Sequence, residues 1–119
     1  NNWNPWINSN WLTCVLLQEE GEQRTSAVQK ILRSLDVFIE NYPSDGGCDE
    51  GPGYWGRAGA SLFDCLELLS LGTNDSLNVY DEPLIGKMAS FCVLMPTPMA
   101  SPGPPMWIWK PAVRLKTRM

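Results

Sequence analysis

Residues 22–42 carry the clearest hydrophobic pattern in the chain. Apolar side chains recur there at spacings of three and four residues, at Val28, Ile31, Leu32, Leu35, Phe38, Ile39 and Tyr42. Charged side chains fill most of the other positions, and this period is typical of an amphipathic helix with one buried face. Pro43 is expected to end this helix, because the residue before a proline is pushed out of helical geometry.

The stretch before this helix predicts a shorter one. Residues 11–20 are largely apolar, and the opening before them contains Pro5 and several asparagines. We expect that opening to be irregular, with Ser9 or Asn10 as the N-cap. Gly21 is expected to end the short helix, so a single glycine would join the two elements into an antiparallel helical hairpin.

Two further helices are predicted in the second half of the chain. Residues 58–71 are apolar nearly all round, and Gly72 is expected to cap them. The run Asp81-Glu82-Pro83 has the cap, early carboxylate and early proline of a helix start, and the helix that follows carries Leu84, Met88 and Phe91. No alternation is long enough for a strand, so the sequence predicts an all-α fold.

Residues 45–57, the glycine-rich segment, separate the second and third predicted helices. They hold five glycines, three carboxylates, a tyrosine, a tryptophan and an arginine. Glycines at this density disfavour a helix and favour a loop with positive φ angles. A polar and aromatic loop held between two helices is a candidate site, and a plain glycine-rich connection is the alternative.

Tyr54 and Arg57 are the candidate chemical groups of this segment. A guanidinium near a phenol favours the phenolate, so the two could act as an acid/base pair. The alternative is a tyrosine packed under the loop, with Arg57 paired to Glu50. The carboxylates could instead cap loop N–H groups or, as a pair, hydrolyse a glycoside. Three tryptophans could either stack on a sugar or pack in the core: Trp3, Trp6 and Trp55.

Charge and composition exclude several classes of partner. Residues 1–95 carry 13 acidic and 5 basic side chains, which argues against nucleic acid. The chain has no histidine, so we expect no metal and no cofactor. No apolar run is long enough to cross a bilayer, so no membrane partner is expected. The start at Asn1, without a methionine or signal-like segment, suggests a fragment of a longer protein.

The four cysteines show no zinc or redox spacing. Cys14, Cys65 and Cys92 fall in apolar helical patterns and are expected to pack as small hydrophobic side chains. Cys48 lies in the glycine-rich segment, where a reactive thiol is conceivable and a structural role is favoured.

Residues 96–119 differ in character from the rest of the chain. They hold 6 of the 10 prolines, four basic residues and no acidic residue. One interpretation is an irregular or disordered Pro-rich tail. The other interpretation is a frameshift. When the codons required by Met106–Lys110 are read in a frame shifted by two bases, they encode an ordinary mixture of acidic and apolar residues. Resequencing the DNA for residues 88–100 distinguishes the two.

Two segments together resemble the heparinase II/III-like polysaccharide lyases. Residues 45–59 (DGGCDEGPGYWGRAG) look like the loop of that family, and residues 1–7 (NNWNPWI) look like the segment one helical hairpin earlier. The resemblance covers about residues 1–92. It implies that residues 1–95 are a fragment of an incomplete (α/α) toroid, which in the family precedes β-sandwich domains.

The resemblance also implies a reaction, β-elimination on a uronate-containing polysaccharide. In the family an asparagine helps neutralise the uronate carboxylate, a base removes the C5 proton, and a tyrosine protonates the leaving oxygen. Tyr54 matches that tyrosine, and Asn2 is the best match for the asparagine, with Asn4 as the rival. Glu50 and Arg57 would support them, and the substrate would be heparin-like, heparan-sulfate-like or alginate-like.

This sequence departs from the family in ways that lower the expected activity. Trp3 stands where many members carry a histidine, and a second catalytic histidine belongs to the absent sandwich domain. We therefore expect the parent to be a lyase, with a secreted or periplasmic location as one option, and this chain alone to be inactive. A non-catalytic carbohydrate-binding module that uses its tryptophans is the second interpretation. A purely structural piece of a helical solenoid, with no pocket between Asn2, Tyr54 and Arg57, is the third.

Overall fold

The computed structural model describes the backbone of residues 1–94 and the side chains of residues 1–91, and it is all-α over this range, with no strand among the described residues. The helices are α1 (Asn4–Gln18), α2 (Gly21–Glu40), α3 (Pro52–Trp55), α4 (Ser61–Gly72) and α5 (Pro83–Leu94), and a π-helical turn, Gly56–Ala60, joins α3 to α4. The predicted all-α class is confirmed for this range, and the predicted tail at residues 96–119 lies outside it.

Helix α1 begins at Asn4, so the prediction of an irregular opening with an N-cap at Ser9 or Asn10 is wrong. Pro5 falls in the first turn, where a helix does not need the N–H group that proline lacks. The asparagines bond within the helix instead of breaking it: Nδ2 of Asn8 donates to the Asn4 carbonyl at 2.9 Å, and Nδ2 of Asn10 donates to the Trp6 carbonyl at 3.0 Å.

Helices α1 and α2 pack against each other along their length. Near the start of α1, Nδ2 of Asn4 donates to Oγ of Ser34 at 2.9 Å. Just beyond the end of α1, the Glu19 carbonyl accepts a 2.6 Å bond from Nε of Arg24. The start of α1 therefore lies beside the later part of α2. Gly21, with φ of +55°, is the first residue of α2 and not the end of α1, while the bounds of α2 agree with the prediction to within two residues.

The glycine-rich segment is half loop and half helix, so the prediction of a loop through residues 45–57 is wrong for its second half. Gly46 and Gly51 have φ angles of +82° and +86°, as predicted. Gly51 precedes α3, and Pro52 supplies the first helical residue, a position that suits proline. Gly46 also lies so close to α5 that a Cβ there would sit 2.6 Å from the backbone nitrogen of Met88.

Helix α4 packs against α1 and supplies much of the core. The largest fully buried aliphatic side chains come from four helices: Leu12, Ile31, Leu62 and Met88. α4 ends at Gly72 as predicted, but the residues with positive φ that follow it are Asn74 and Asp75. α5 begins at Pro83 as predicted.

The cysteines differ from one another in burial. Cys65 and Cys48 are buried, and the predicted packing of Cys65 is confirmed. Cys14 is exposed, so the prediction that it packs as a small hydrophobic side chain is wrong. Cys92 lies in α5, and its side chain falls outside the described part of the chain.

Candidate functional site

Asn2 connects the start of the chain to the glycine-rich segment. Its side-chain nitrogen donates to Oδ1 of Asp49 at 2.8 Å and to Oε1 of Glu50 at 2.6 Å, and the residue is only 7% exposed. These two bonds employ both N–H groups of the amide. The structure thus brings together Asn2 and Glu50, two of the residues singled out from the sequence. To bind a substrate carboxylate, the amide of Asn2 would have to exchange one of these partners.

Asn4, the rival candidate for the same role, lies elsewhere. Its Nδ2 donates to the carbonyl and to Oγ of Ser34 on α2, at 3.1 and 2.9 Å. These bonds hold α1 on α2. Of the two candidate asparagines, Asn2 is therefore the one that bonds to the glycine-rich segment.

Arg57 forms a cluster with Trp3 and Trp6, which we call the Trp–Arg platform. The Arg57 guanidinium carbon lies 4.5 Å from the ring centroid of Trp6 and 5.8 Å from that of Trp3, within the range of cation–π attraction. The two indole centroids are 5.1 Å apart, with the ring planes tilted by 43°. The alternative in which Arg57 pairs with Glu50 is not what the structure shows.

The Trp–Arg platform is open to solvent. Trp3 and Arg57 are exposed and Trp6 is partly exposed. No carboxylate of residues 1–91 forms an ion pair with Arg57, so its N–H donors are available to an anion from outside this part of the chain.

Tyr54 lies in α3, one helical turn before Arg57, and is 40% exposed. The alternative of a tyrosine packed beneath the loop is therefore wrong. The exposed phenol can reach a molecule that binds on this side of the chain. Tyr54 and Arg57 lie three residues apart on continuous helical backbone, so the phenol and the platform belong to the same end of this element.

Trp55 is part of the core and not of the Trp–Arg platform. It is 7% exposed, and its Nε1–H donates to the Met88 carbonyl at 3.1 Å. Its ring centroid lies 6.3 Å from that of Phe63. A buried indole has no free face for a sugar, so the assignment of Trp55 to substrate binding does not fit the structure.

Sequence reasoning missed the contact between Trp55 and Gly59. A Cβ at Gly59 would lie 2.6 Å from Cε2 of Trp55, so any larger residue would require the ring to shift. The contact occurs in the π-helical turn, which follows Trp55 directly and carries Arg57 on its exposed side. The sequence signal was the pairing of a tryptophan with a glycine four residues on, which places the two side by side in a helix.

Cys48 is buried, and its surroundings favour the thiol over the thiolate. Burial raises the pKa of its thiol, and the nearby Asp49 and Glu50 carboxylates add to the rise. Hydrogen bonds from the Glu50 backbone and the Tyr42 side chain act in the opposite direction, with a smaller total effect. A raised pKa keeps the thiol protonated, and it is the thiolate that reacts. The favoured structural role of Cys48 therefore agrees with its surroundings.

A groove of about 420 Å³ opens between α1 and α2, away from the candidate site residues described above. Its lining comprises Trp11, Val15, Glu19, Glu22, Gln23, Ser26, Ala27 and Lys30. None of the site residues proposed from the sequence lines this groove. The sequence did not reveal it, because the groove forms only where two helices lie side by side.

Over the described residues, no group of three histidine, cysteine or carboxylate side chains could hold a metal ion. In the same part of the chain, no helix has both the length and the apolar character that a membrane span needs.

No protein-family model matches this chain, and no curated protein matches it. The resemblance of residues 1–7 and 45–59 to polysaccharide lyases therefore remains an interpretation of the sequence.

Proposed function

We propose that this chain is part of a polysaccharide lyase that cleaves uronate-containing polysaccharides by β-elimination. The observation that supports this most directly is the 2.6 Å bond from Asn2 to Glu50. It joins the two short segments on which the resemblance to the lyases depends, although 48 residues separate them along the chain. The helices of residues 1–94 would then be a slice of an incomplete (α/α) toroid, and the partner would be the β-sandwich domain of the parent.

In this proposal Tyr54 is the catalytic acid. A base removes the C5 proton of the uronate, the electron pair forms the C4–C5 double bond, and the bond from C4 to the glycosidic oxygen breaks. The phenol of Tyr54 gives its proton to the leaving oxygen. Exposure of this phenol and its place between Gly53 and the π-helical turn suit such a transfer.

The Trp–Arg platform would bind the substrate. Arg57 offers paired N–H donors to a uronate or sulfate, and Trp3 offers an exposed indole face to a sugar ring. Glu50 holds Asn2 in place. The excess of acidic side chains over residues 1–95 opposes a polyanion, so the basic groove of the parent would come from its other parts.

This chain by itself is expected to be inactive. Trp3 replaces a histidine that many lyases of this type carry, and the sandwich histidine lies outside residues 1–119. Without a base at C5 the reaction does not begin, whatever the position of Tyr54.

A non-catalytic carbohydrate-binding module is the second candidate. The observation in its favour is the solvent-open Trp–Arg platform, which can bind an acidic sugar without any chemistry. Its tryptophans would be Trp3 and Trp6, since Trp55 is buried.

Binding of uronate oligosaccharides tests what both candidates share. We expect Arg57→Ala to weaken binding by about tenfold or more, because one charge-assisted contact is worth roughly 1.5–3 kcal/mol. Titration of tryptophan fluorescence measures the affinity, and a neutral glucan is the control ligand. Arg33→Ala removes an exposed arginine of α2 outside the platform and should leave affinity unchanged. Equal affinities of the two variants would show that the Trp–Arg platform does not bind the oligosaccharide.

Tyr54→Phe separates the two candidates, in a longer protein that contains this chain. A lyase loses formation of the unsaturated uronate, followed by its ultraviolet absorbance, and keeps its affinity for the polysaccharide. A binding module forms no such product with either residue. Product formed by residues 1–119 alone would contradict the expected inactivity.

A further inference from the structure

The groove between α1 and α2 combines an aromatic wall with an acidic end. Trp11 is 41% exposed on one side, and the buried Val15 forms part of the floor. Glu19 and Glu22 lie at the end where α1 passes into α2, and Lys30 lies nearer to Trp11. Such a groove suits a segment that is apolar at one end and basic at the other.

The rest of the outward side of α1 is also apolar. Residues 4–18 contain no charged side chain, and Ile7 and Leu17 are 59% and 79% exposed. The inward side of the same helix carries the polar Asn8 and Ser9. Several exposed apolar side chains on one helix, beside a groove, are typical of a surface that binds another polypeptide segment.

We propose that this groove binds residues 106–116 of the same chain, with apolar side chains against Trp11 and Val15 and basic side chains against Glu19 and Glu22. The sequence of that segment is MWIWKPAVRLK, in which aromatic and aliphatic residues come first and three basic residues follow. Opposite charge selects this segment: residues 96–119 carry four basic and no acidic side chains, while residues 1–95 carry 13 acidic and 5 basic ones.

The spacing of the two partners agrees. Trp11 and Glu19 are eight residues apart, which is about 12 Å along a helix. Four to five residues of extended chain cover roughly 13–16 Å, so in the proposed arrangement Trp109 at Trp11 would put Arg114 near Glu19. The apolar and basic parts of residues 106–116 can therefore lie on the aromatic and acidic parts of the groove at the same time.

The connection is also long enough. Eleven residues lie between Leu94 and Met106, and they span up to about 36 Å. α5 contacts α3, α3 runs through the π-helical turn into α4, and α4 contacts α1. At about 10 Å for each packed pair of helices, this path is on the order of 20–30 Å. The proposal does not depend on the lyase function. It rests on the printed reading frame of residues 96–119, the first of the two interpretations of that segment.

Carbodiimide cross-linking of the full chain tests the proposal, because it joins a carboxylate directly to an amine that contacts it. We expect Glu19 or Glu22 to be joined to Lys116, which follows Arg114 at the acidic end of the groove, as identified by mass spectrometry of peptides. Lys110, next to Trp109 at the aromatic end, should be joined to them less. Asp36 and Glu40, exposed on α2 outside the groove, are the control carboxylates. Trp107→Ala with Trp109→Ala keeps both lysines and should lower the yield by about tenfold, since the loss of two buried rings weakens docking at least that much.

Three results would overturn the proposal. Equal cross-linking to Asp36 and Glu40 would show that the cross-links reflect general attraction between opposite charges and not binding in the groove. An unchanged cross-linking yield in the double tryptophan variant would show that the two tryptophans make no contact with the groove. In a mixture of isotope-labelled and unlabelled chains, cross-links that combine the two would assign the groove to a second copy of the chain.

Discussion

At the scale of single residues, the hydrogen bonds of one asparagine connect distant parts of the chain. Asn2 is buried, and its amide donates to two carboxylates that lie 47 and 48 residues away. Hydrogen bonds to charged groups contribute roughly 1.5–3 kcal/mol each when formed, and a buried partner left without one costs about as much. The position of the loop at residues 45–51 therefore depends on Asn2 as well as on its own glycines.

The cysteines show how burial changes the chemistry of a single atom. Burial, followed by the charge of Asp64, raises the pKa of the Cys65 thiol to about 12. The folded chain thus holds this proton more tightly than the unfolded chain, whose thiol has the ordinary value of 9.0. Its contribution to stability is complete below pH 9 and is lost as the pH rises toward 12.

Alkylation should distinguish the thiols. At pH 8 iodoacetamide is expected to modify the exposed Cys14 and to leave Cys65 unmodified, because Cys65 lacks both access and thiolate. Peptide mapping by mass spectrometry measures the extent at each site. In concentrated guanidinium chloride both should react alike, which is the control. Equal rates in the folded chain would show that the core around Cys65 opens far more readily than its packing implies.

At the scale of elements, Trp55 at the end of α3 and Arg57 in the π-helical turn Gly56–Ala60 lie on opposite sides of continuous helical backbone. Trp55 is directed inward to the Met88 carbonyl on α5, while Arg57 is directed outward to Trp6. Single turns of π-helix are rare and are frequent at functional sites. Gly59 permits the close approach of the Trp55 ring, which occupies the space where a Cβ would be.

Two alanine substitutions within this turn test its packing. Gly59→Ala should lower the free energy of unfolding by about 2 kcal/mol, since the added carbon must displace the Trp55 ring. Gly56→Ala is the matched control, because a Cβ there meets no atom within 4 Å. It should leave stability unchanged or raise it slightly. Urea denaturation measures both, and similar midpoints for the two variants would mean that the Trp55 ring moves without cost.

At the scale of the whole molecule, α1 lies between α2 and α4 and has two apolar sides. Leu12 is fully buried, whereas Leu17, five residues later on the same helix, is 79% exposed. A helix with apolar side chains all round is usually surrounded by other elements. In the described part of the chain only the inward side of α1 is covered. Trp11 lines the groove proposed above as a docking site, and Leu17 is exposed outside that groove.

The same substitution at these two leucines measures the difference. Leu12→Ala should destabilise the fold by roughly 2–5 kcal/mol through lost burial and the cavity left behind. Leu17→Ala should change stability by less than about 0.5 kcal/mol, as is usual for an exposed position. Thermal or urea unfolding gives both values. A comparable loss at Leu17, which does not line the groove between α1 and α2, would contradict its exposure.

Interactions between neighbours along the chain were predictable from the sequence. The period of residues 22–42, the proline at position 83 and the positive φ angles of Gly46 and Gly51 all depend on backbone geometry within a few residues. The start of α1 was mistaken because asparagines usually favour turns, and here they bond along and between helices. The start of α3 was mistaken because glycine density outweighed the signal of Pro52.

By itself, then, the sequence determined the all-α class, the course of α2, and the location of a polar and aromatic segment between helices. Only the tertiary structure decided that Asn2 and not Asn4 meets that segment, that Trp55 is buried while Trp3 is exposed, and that Cys14 faces solvent. The physical reason is that hydrophobic period and turn residues act over a few positions. Burial, hydrogen-bond partners and pKa values depend instead on side chains that only folding brings together.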